Sequence, residues 1–126
     1  MCFEITPYLQ EKWTQTVAYK IVEARTRLSP YFGVEYKDGK TVECEVGPYE
    51  RDGKAENGIY VCKTKADAYM LSALASFVLG NRGSTCRYYY MYIVIEVAVD
   101  PSDFLYNDNL NQYATYTKVK VIGEVP

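Results

Sequence analysis

Apolar and polar positions alternate with period two over residues 87–99, and the alternation divides that run into two unequal faces. One face is Tyr89, Met91, Ile93, Ile95, Val97 and Val99, all of it core material. The other is Tyr88, Tyr90, Tyr92, Val94, Glu96 and Ala98, which sets three phenols and a carboxylate among smaller apolar groups. Such a strand predicts a core on one side and, on the other, a surface half covered by a helix and half open to a ligand or partner. Asp100-Pro101 ends it.

Elsewhere the same reading gives shorter elements. Residues 1–16, with Pro7 and Trp13, read as a lead-in with one short helical turn near 9–16. Residues 17–24 alternate as a first strand, and 25–30 leave it as a polar loop stopped by Ser29-Pro30. Residues 31–36 and 41–46 flank Lys37-Asp38-Gly39-Lys40, an Asp-Gly pair that predicts a hairpin with a type I′ turn. Residues 47–58 hold Pro48, Asp52-Gly53 and Asn57-Gly58 and read as a long loop of the kind that borders a site.

A short apolar strand, 58–62, leads into Thr64 and Asp67, the spacing of a capping box. The helix predicted from there covers 65–79, with Ala68, Leu71, Leu74, Ala75 and Val78 as its buried stripe and Gly80-Asn81 as its stop. Residues 101–111, rich in Asp and Asn, read as a loop tucked down by Phe104, Leu105 and Tyr106. The last run, 113–122, alternates again and carries Lys118 and Lys120 on one side, as a strand near the sheet edge would. The sum is an α+β single domain over residues 1–126: a twisted, mostly antiparallel sheet of five to six strands with one main helix packed on it.

Composition narrows the function classes. The chain has 126 residues, 48% of them hydrophobic, enough for one core without staples. Net charge is only -2, so bulk electrostatics point to no nucleic-acid partner. No apolar run approaches the roughly 18 to 20 residues that span a bilayer, and the N-terminus lacks the basic and apolar regions of a signal peptide. A cytoplasmic location is the expectation. The cysteines Cys2, Cys44, Cys62 and Cys86 form no C-x-x-C pair and read as reduced, mostly buried thiols, with a disulfide framework as the alternative. With no histidine in the chain, Ser-His-Asp and Cys-His catalysis and His-ligated metals are excluded.

Four constellations remain. Tyr88, Tyr90, Tyr92 and Glu96 form either an aromatic and acidic grip for a partner or a strand face covered by the helix. Fourteen tyrosines favour an exposed aromatic surface somewhere, since each buried hydroxyl needs a hydrogen-bond partner. Arg25, Arg27, Ser29 and Tyr31 are donors suited to a phosphate or carboxylate, or else a solvated loop. Glu43, Glu45, Glu50 and Asp52 match no calcium loop and read as a solvated strand edge. Cys2, if Met1 were removed, would be an N-terminal thiol like the nucleophile of class II glutamine amidotransferases; a reduced structural thiol is the simpler role. No cofactor is called for.

Met1-Cys2-Phe3, the run Ala18-Tyr19-Lys20-Ile21-Val22, Ser29-Pro30-Tyr31, Gly39-Lys40, Gly58-Ile59-Tyr60, Lys63-Thr64 and Ala68 resemble small phage and prophage proteins that open Met-Cys-Phe. That resemblance implies a host-interacting or accessory role in a mobile element. Gly58-Ile59-Tyr60 entering a helix, a long apolar strand after it and a closing run at 118–126 also resemble the ADP-ribosyltransferase-like fold. There Arg25 would stand for the first-strand arginine, while Glu124 comes late for the required glutamate. The expected function is binding of a partner protein through an aromatic and acidic surface. The alternative is a nucleotide-binding sensor or degenerate transferase, with Arg25, Ser29 and Tyr60 around a small nucleotide.

Overall fold

The computed structural model describes residues 3–4, 12–29, 34–44, 50–51, 54–55, 58–80, 91–108 and 110–125. Its strands are β1 (Phe3–Glu4), β2 (Val17–Glu23), β3 (Thr41–Glu43), β4 (Glu50–Arg51), β5 (Lys54–Ala55) and β6 (Ile59–Cys62), then, after helix α1 (Lys65–Gly80), β7 (Tyr92–Val99), β8 (Phe104–Asn107), β9 (Tyr113–Tyr116) and β10 (Lys118–Glu124). A 3-10 turn, Pro101–Asp103, links β7 to β8. The α+β class holds: among the described residues there are one helix and an open antiparallel sheet of seven strands rather than five or six, in the order β3-β10-β7-β2-β6-β9-β8. A separate three-stranded sheet, β1-β5-β4, falls partly within the segment read as a loop.

Chain continuity dictates the shape of the large sheet. Three strands lie between β9 and β10, a separation of about 19 Å in a flat sheet at ~4.8 Å per strand. Yet only Thr117 joins them, and two residue steps span at most about 7 Å. The sheet must therefore curl until both ends meet one continuous segment. Its two edges flank the joint: Cys44 N–H donates to Thr117 O (3.0 Å), and Thr117 N–H donates to Asp103 O (2.9 Å).

The side-chain pattern records the bend. Ala114 and Tyr116 face the main core, but so do Val119 and Val121, so the inward positions change from even to odd across Thr117. That core draws also on Ala18, Val22, Val61, Ile95 and Val97, with Trp13 and Tyr36 closing it. A cluster fed by the strands all around the curl is its concave side. Trp13 packs against Phe104 and Tyr116 at centroid distances of 6.0 and 6.3 Å. A smaller core lies on the outer side, where Ala68 and Ala75 of α1 meet Ile21, Cys62 and Val94.

Several sequence expectations are corrected. Residues 12–16 are not helical. The Asp38-Gly39 turn exists, with Lys40 N–H donating to Lys37 O (2.9 Å), but only Gly39 has positive φ (79°), so it is not type I′. Among the described residues its flanking runs do not pair with each other. Leu28 bridges Glu35 instead, and β3 pairs with β10, because the turn docks by exchanging bonds between Gly39, Lys40 and Val121. Residues 101–111 contain β8, which is an edge strand, whereas the closing run expected at an edge lies inside the sheet, β9 between β6 and β8 and β10 between β3 and β7. Lys118 and Lys120 are nonetheless exposed.

Candidate functional site

α1 begins where Thr64 caps it. Thr64 Oγ1 accepts from Asp67 N–H (3.2 Å) and donates to the Asp67 carboxylate (2.8 Å), a variant of the capping box in which the acid closes on the threonine hydroxyl. Ala68, Leu71, Ser72 and Ala75 face the sheet. Ser72 takes a sheet-facing position because its hydroxyl donates to Tyr92 O (2.5 Å), which removes the cost of burying it.

Leu74, expected in the buried stripe, is 58% exposed. It lies about 120° around the helix from Ala68, outside the arc that the sheet covers. With it on the outer face stand Met70 at 74% and Tyr69 at 48% exposure, together with exposed Ala66 and Ala73. Sequence reasoning missed this face, although one signal was present: no charged residue occurs between Asp67 and Arg82. An ordinary surface helix carries charge on its outer side.

Beside α1 a row of side chains crosses the sheet. Register places Glu96 opposite Tyr19, Tyr19 opposite Cys62 and Cys62 opposite Tyr113, so the four share the helix-bearing face. Cys62 is buried and the other three are half-buried. Burial pushes the Cys62 thiol up to about 12, with Lys20 opposing and Asp67 and Asp108 adding to the rise. A thiol so protonated is a poor nucleophile. Burial also raises the Tyr113 phenol, helped by Cys62, Asp67 and Asp108.

Of the predicted aromatic grip, Tyr92 and Glu96 lie on this same face, both half-buried, and Tyr92 packs beneath α1. Tyr88 and Tyr90 lie outside the described residues, as do Cys2, Cys86, Tyr31, Glu45 and Asp52. Arg25 stands in the turn after β2, its Nε 3.4 Å from Glu23 Oε1. Ser29 Oγ accepts from Val34 N–H (3.3 Å), closing a small loop. Tyr60 is half-buried on β6, opposite Thr115. An open depression of about 560 Å³ beside β3 and β10 is lined by Glu43, Asp100, Asp103, Lys118 and Lys120 among others, and includes none of Arg25, Ser29 or Tyr60.

Lys20 was not anticipated as more than a strand residue. Its alternation with Ala18 and Val22 turns it toward the concave core, where its Nζ donates to Tyr60 O (2.8 Å) and lies 4.9 Å from the centre of the Tyr36 ring. Burial lowers its pKa to about 8, against a smaller opposing effect of Cys62. Among the described residues no group of three acidic or cysteine side chains is placed to hold a metal, and no helix is long and apolar enough to cross a membrane.

Comparison with protein-family models, with curated proteins and with solved structures finds no match, so both resemblances rest on the quoted residues alone.

Proposed function

We propose that this chain is a non-enzymatic binding protein that engages a partner protein through the helix-bearing side of its sheet. The observation that carries the reading is the outer face of α1, where Met70 and Leu74 stand exposed one turn apart and the exposed Ala66, Ala73 and Tyr69 continue the apolar band, on a helix without charge beyond Asp67. Single exposed apolar residues are ordinary, but a contiguous group marks a contact surface. Tyr19, Tyr113, Glu96 and Asp67 border that face with half-buried phenols and carboxylates, a composition suited to an aromatic and polar rim. The host-interacting, accessory role implied by the Met-Cys-Phe resemblance is of this kind.

The test is affinity capture with the wild-type chain, the double variant Met70→Glu/Leu74→Glu, and Lys118→Glu as a distant control. The α1 variant should lose the captured species at an unchanged thermal midpoint, because neither side chain supports the core. Undiminished capture by the folded α1 variant would overturn the reading.

A further inference from the structure

We infer that residues 34–36 are a strap over the mouth of the curl whose closure is governed by the charge on Lys20: the strap loosens while the amine is charged and tightens when the amine gives up its proton.

Anchorage is the first argument. Among the described residues 24–29 and 34–40 the only buried one is Tyr36, 3% exposed against the concave core. The strap's backbone bonds run to the neighbouring loop and not to the large sheet: Tyr36 N–H donates to Arg27 O (2.8 Å), Ser29 N–H donates to Val34 O (2.8 Å), and Leu28 bridges Glu35. The turn that follows is held separately, by the bonds of Gly39 and Lys40 to Val121. A segment with one buried side chain and no ladder to the sheet can open locally while the strands stay paired.

Charge is the second. Beneath Tyr36 the Lys20 ammonium carries three donors, yet it has one hydrogen-bond acceptor, Tyr60 O at 2.8 Å, besides the Tyr36 ring at 4.9 Å. The elements packed around it bring no counter-charge. β7 sets Ile95 opposite it, with Ile93 and Val97 on either side. From β6 come Val61 and, on the other face of the sheet, the Cys62 thiol that burial keeps protonated. β9 adds Ala114 and Tyr116, whose phenol burial pushes up to about 12, and burial with Cys44 pushes the Tyr36 phenol up as well. Glu124 lies across Ile95 on β10, but it is exposed and forms no ion pair among the described residues, and Asp38 is taken by Arg27 (3.2 Å).

A ring face returns only part of the hydration that a buried ammonium gives up, so the charged amine favours the open strap. The neutral amine keeps its bond to Tyr60 O without that penalty. Burial, against a smaller effect of Cys62, lowers the native pKa from 10.5 to about 8, which places the change just above neutrality.

Amide exchange at Tyr36 tests this, because its N–H exchanges only when the strap parts from Arg27. Quenched-flow rates are expressed as protection factors, which remove the intrinsic pH dependence of exchange. The wild-type value should rise about tenfold from pH 7 to pH 9, as expected when opening returns Lys20 to a pKa of 10.5. Ladder amides of β2 and β7 should be better protected than Tyr36 at both pH values, which marks the opening as local. Lys20→Arg, charged throughout, should hold the low protection at both, and Lys20→Met the high one. A wild-type value that does not change with pH overturns the inference, as does a Tyr36 amide protected as well as the ladder, or a tenfold rise that survives in Lys20→Arg. The wild-type measurement decides by itself if either variant fails to fold.

Discussion

The Lys20 ammonium lies 4.9 Å from the centre of the Tyr36 ring, a buried cation held against the residue that closes the concave core. Tyr36 belongs to no strand of the large sheet, and its N–H donates to Arg27 O (2.8 Å). Lys20 therefore fastens the 34–36 segment over the mouth of the curl, and its charge is maintained there at a cost in desolvation.

That cost has a pH signature. A group whose native pKa is lowered, from 10.5 to about 8, stabilises the fold as pH rises above the native value, because the unfolded chain then binds the extra proton. Between pH 8 and pH 9 the gain should be about 1 kcal/mol. From about pH 8 upward part of it is offset by Cys62, whose thiol, raised from 9.0 to about 12 in the fold, ionises there only in the unfolded chain and so favours unfolding. Urea denaturation at pH 8 and pH 9 should show the rise in the wild type and its absence in Lys20→Met; parallel curves would contradict this account.

Gly58 and Gly39 both have positive φ, 104° and 79°, but only Gly58 is crowded. A Cβ there would stand 2.7 Å from Thr115 Cβ, while at Gly39 it would meet nothing within 4 Å. Gly39→Ala should cost about 1 kcal/mol from backbone strain alone. Gly58→Ala should cost at least about 2 kcal/mol more, because overpacking at the β6–β9 contact is added. Thermal midpoints of the two variants compare them directly.

Thr64 anchors the start of α1 through both its bonds to Asp67. Thr64→Ala should destabilise the fold by about 1 kcal/mol, and Thr64→Ser should restore most of that loss, since only the hydroxyl is needed. Equal stability of Ala and Ser at this position would show that the cap contributes little.

Glu23 organises the turn after β2. Although burial favours its protonation, its carboxylate accepts from Thr26 N–H (2.6 Å), Thr26 Oγ1 (2.8 Å) and Arg25 N–H (2.9 Å), which together hold it below the ordinary carboxylate value. Its contribution is complete above the unfolded pKa near 4.5 and is lost as pH falls through the native one. Glu23→Gln should cost about 1 to 2 kcal/mol at neutral pH, as charge-assisted bonds are weakened, and should flatten the acid limb of the stability profile.

Local chemistry was legible wherever it involved neighbours in the chain. Thr64 and Asp67 predicted the start of α1 to the residue, Val17 to Glu23 and Ile59 to Cys62 announced their strands, and from Tyr92 to Val99 the two faces were separable by period alone, whereas Met91, expected in the core, precedes the strand and is 63% exposed. Those features depend on bonds and spacings within a few residues. The β8 strand was not legible, because Phe104 to Asn107 becomes a strand only by pairing with β9, and its Asp- and Asn-rich surroundings signal turns.

Sequence by itself determined the α+β class, the position of α1, the turn at Asp38-Gly39 and the exclusion of histidine chemistry. Only the tertiary structure decided that the sheet curls on itself at Thr117, that Lys20 is drawn into the core, and that Leu74 turns to solvent while Ser72 faces the sheet. Each of these depends on which distant strand stands alongside. Period two is blind to a change of phase at a bend, and a helix stripe does not say how wide an arc its sheet covers. Burial is a property of the packed neighbours, and those are set by pairings between residues such as Lys20 and Ile95 that lie far apart in the chain.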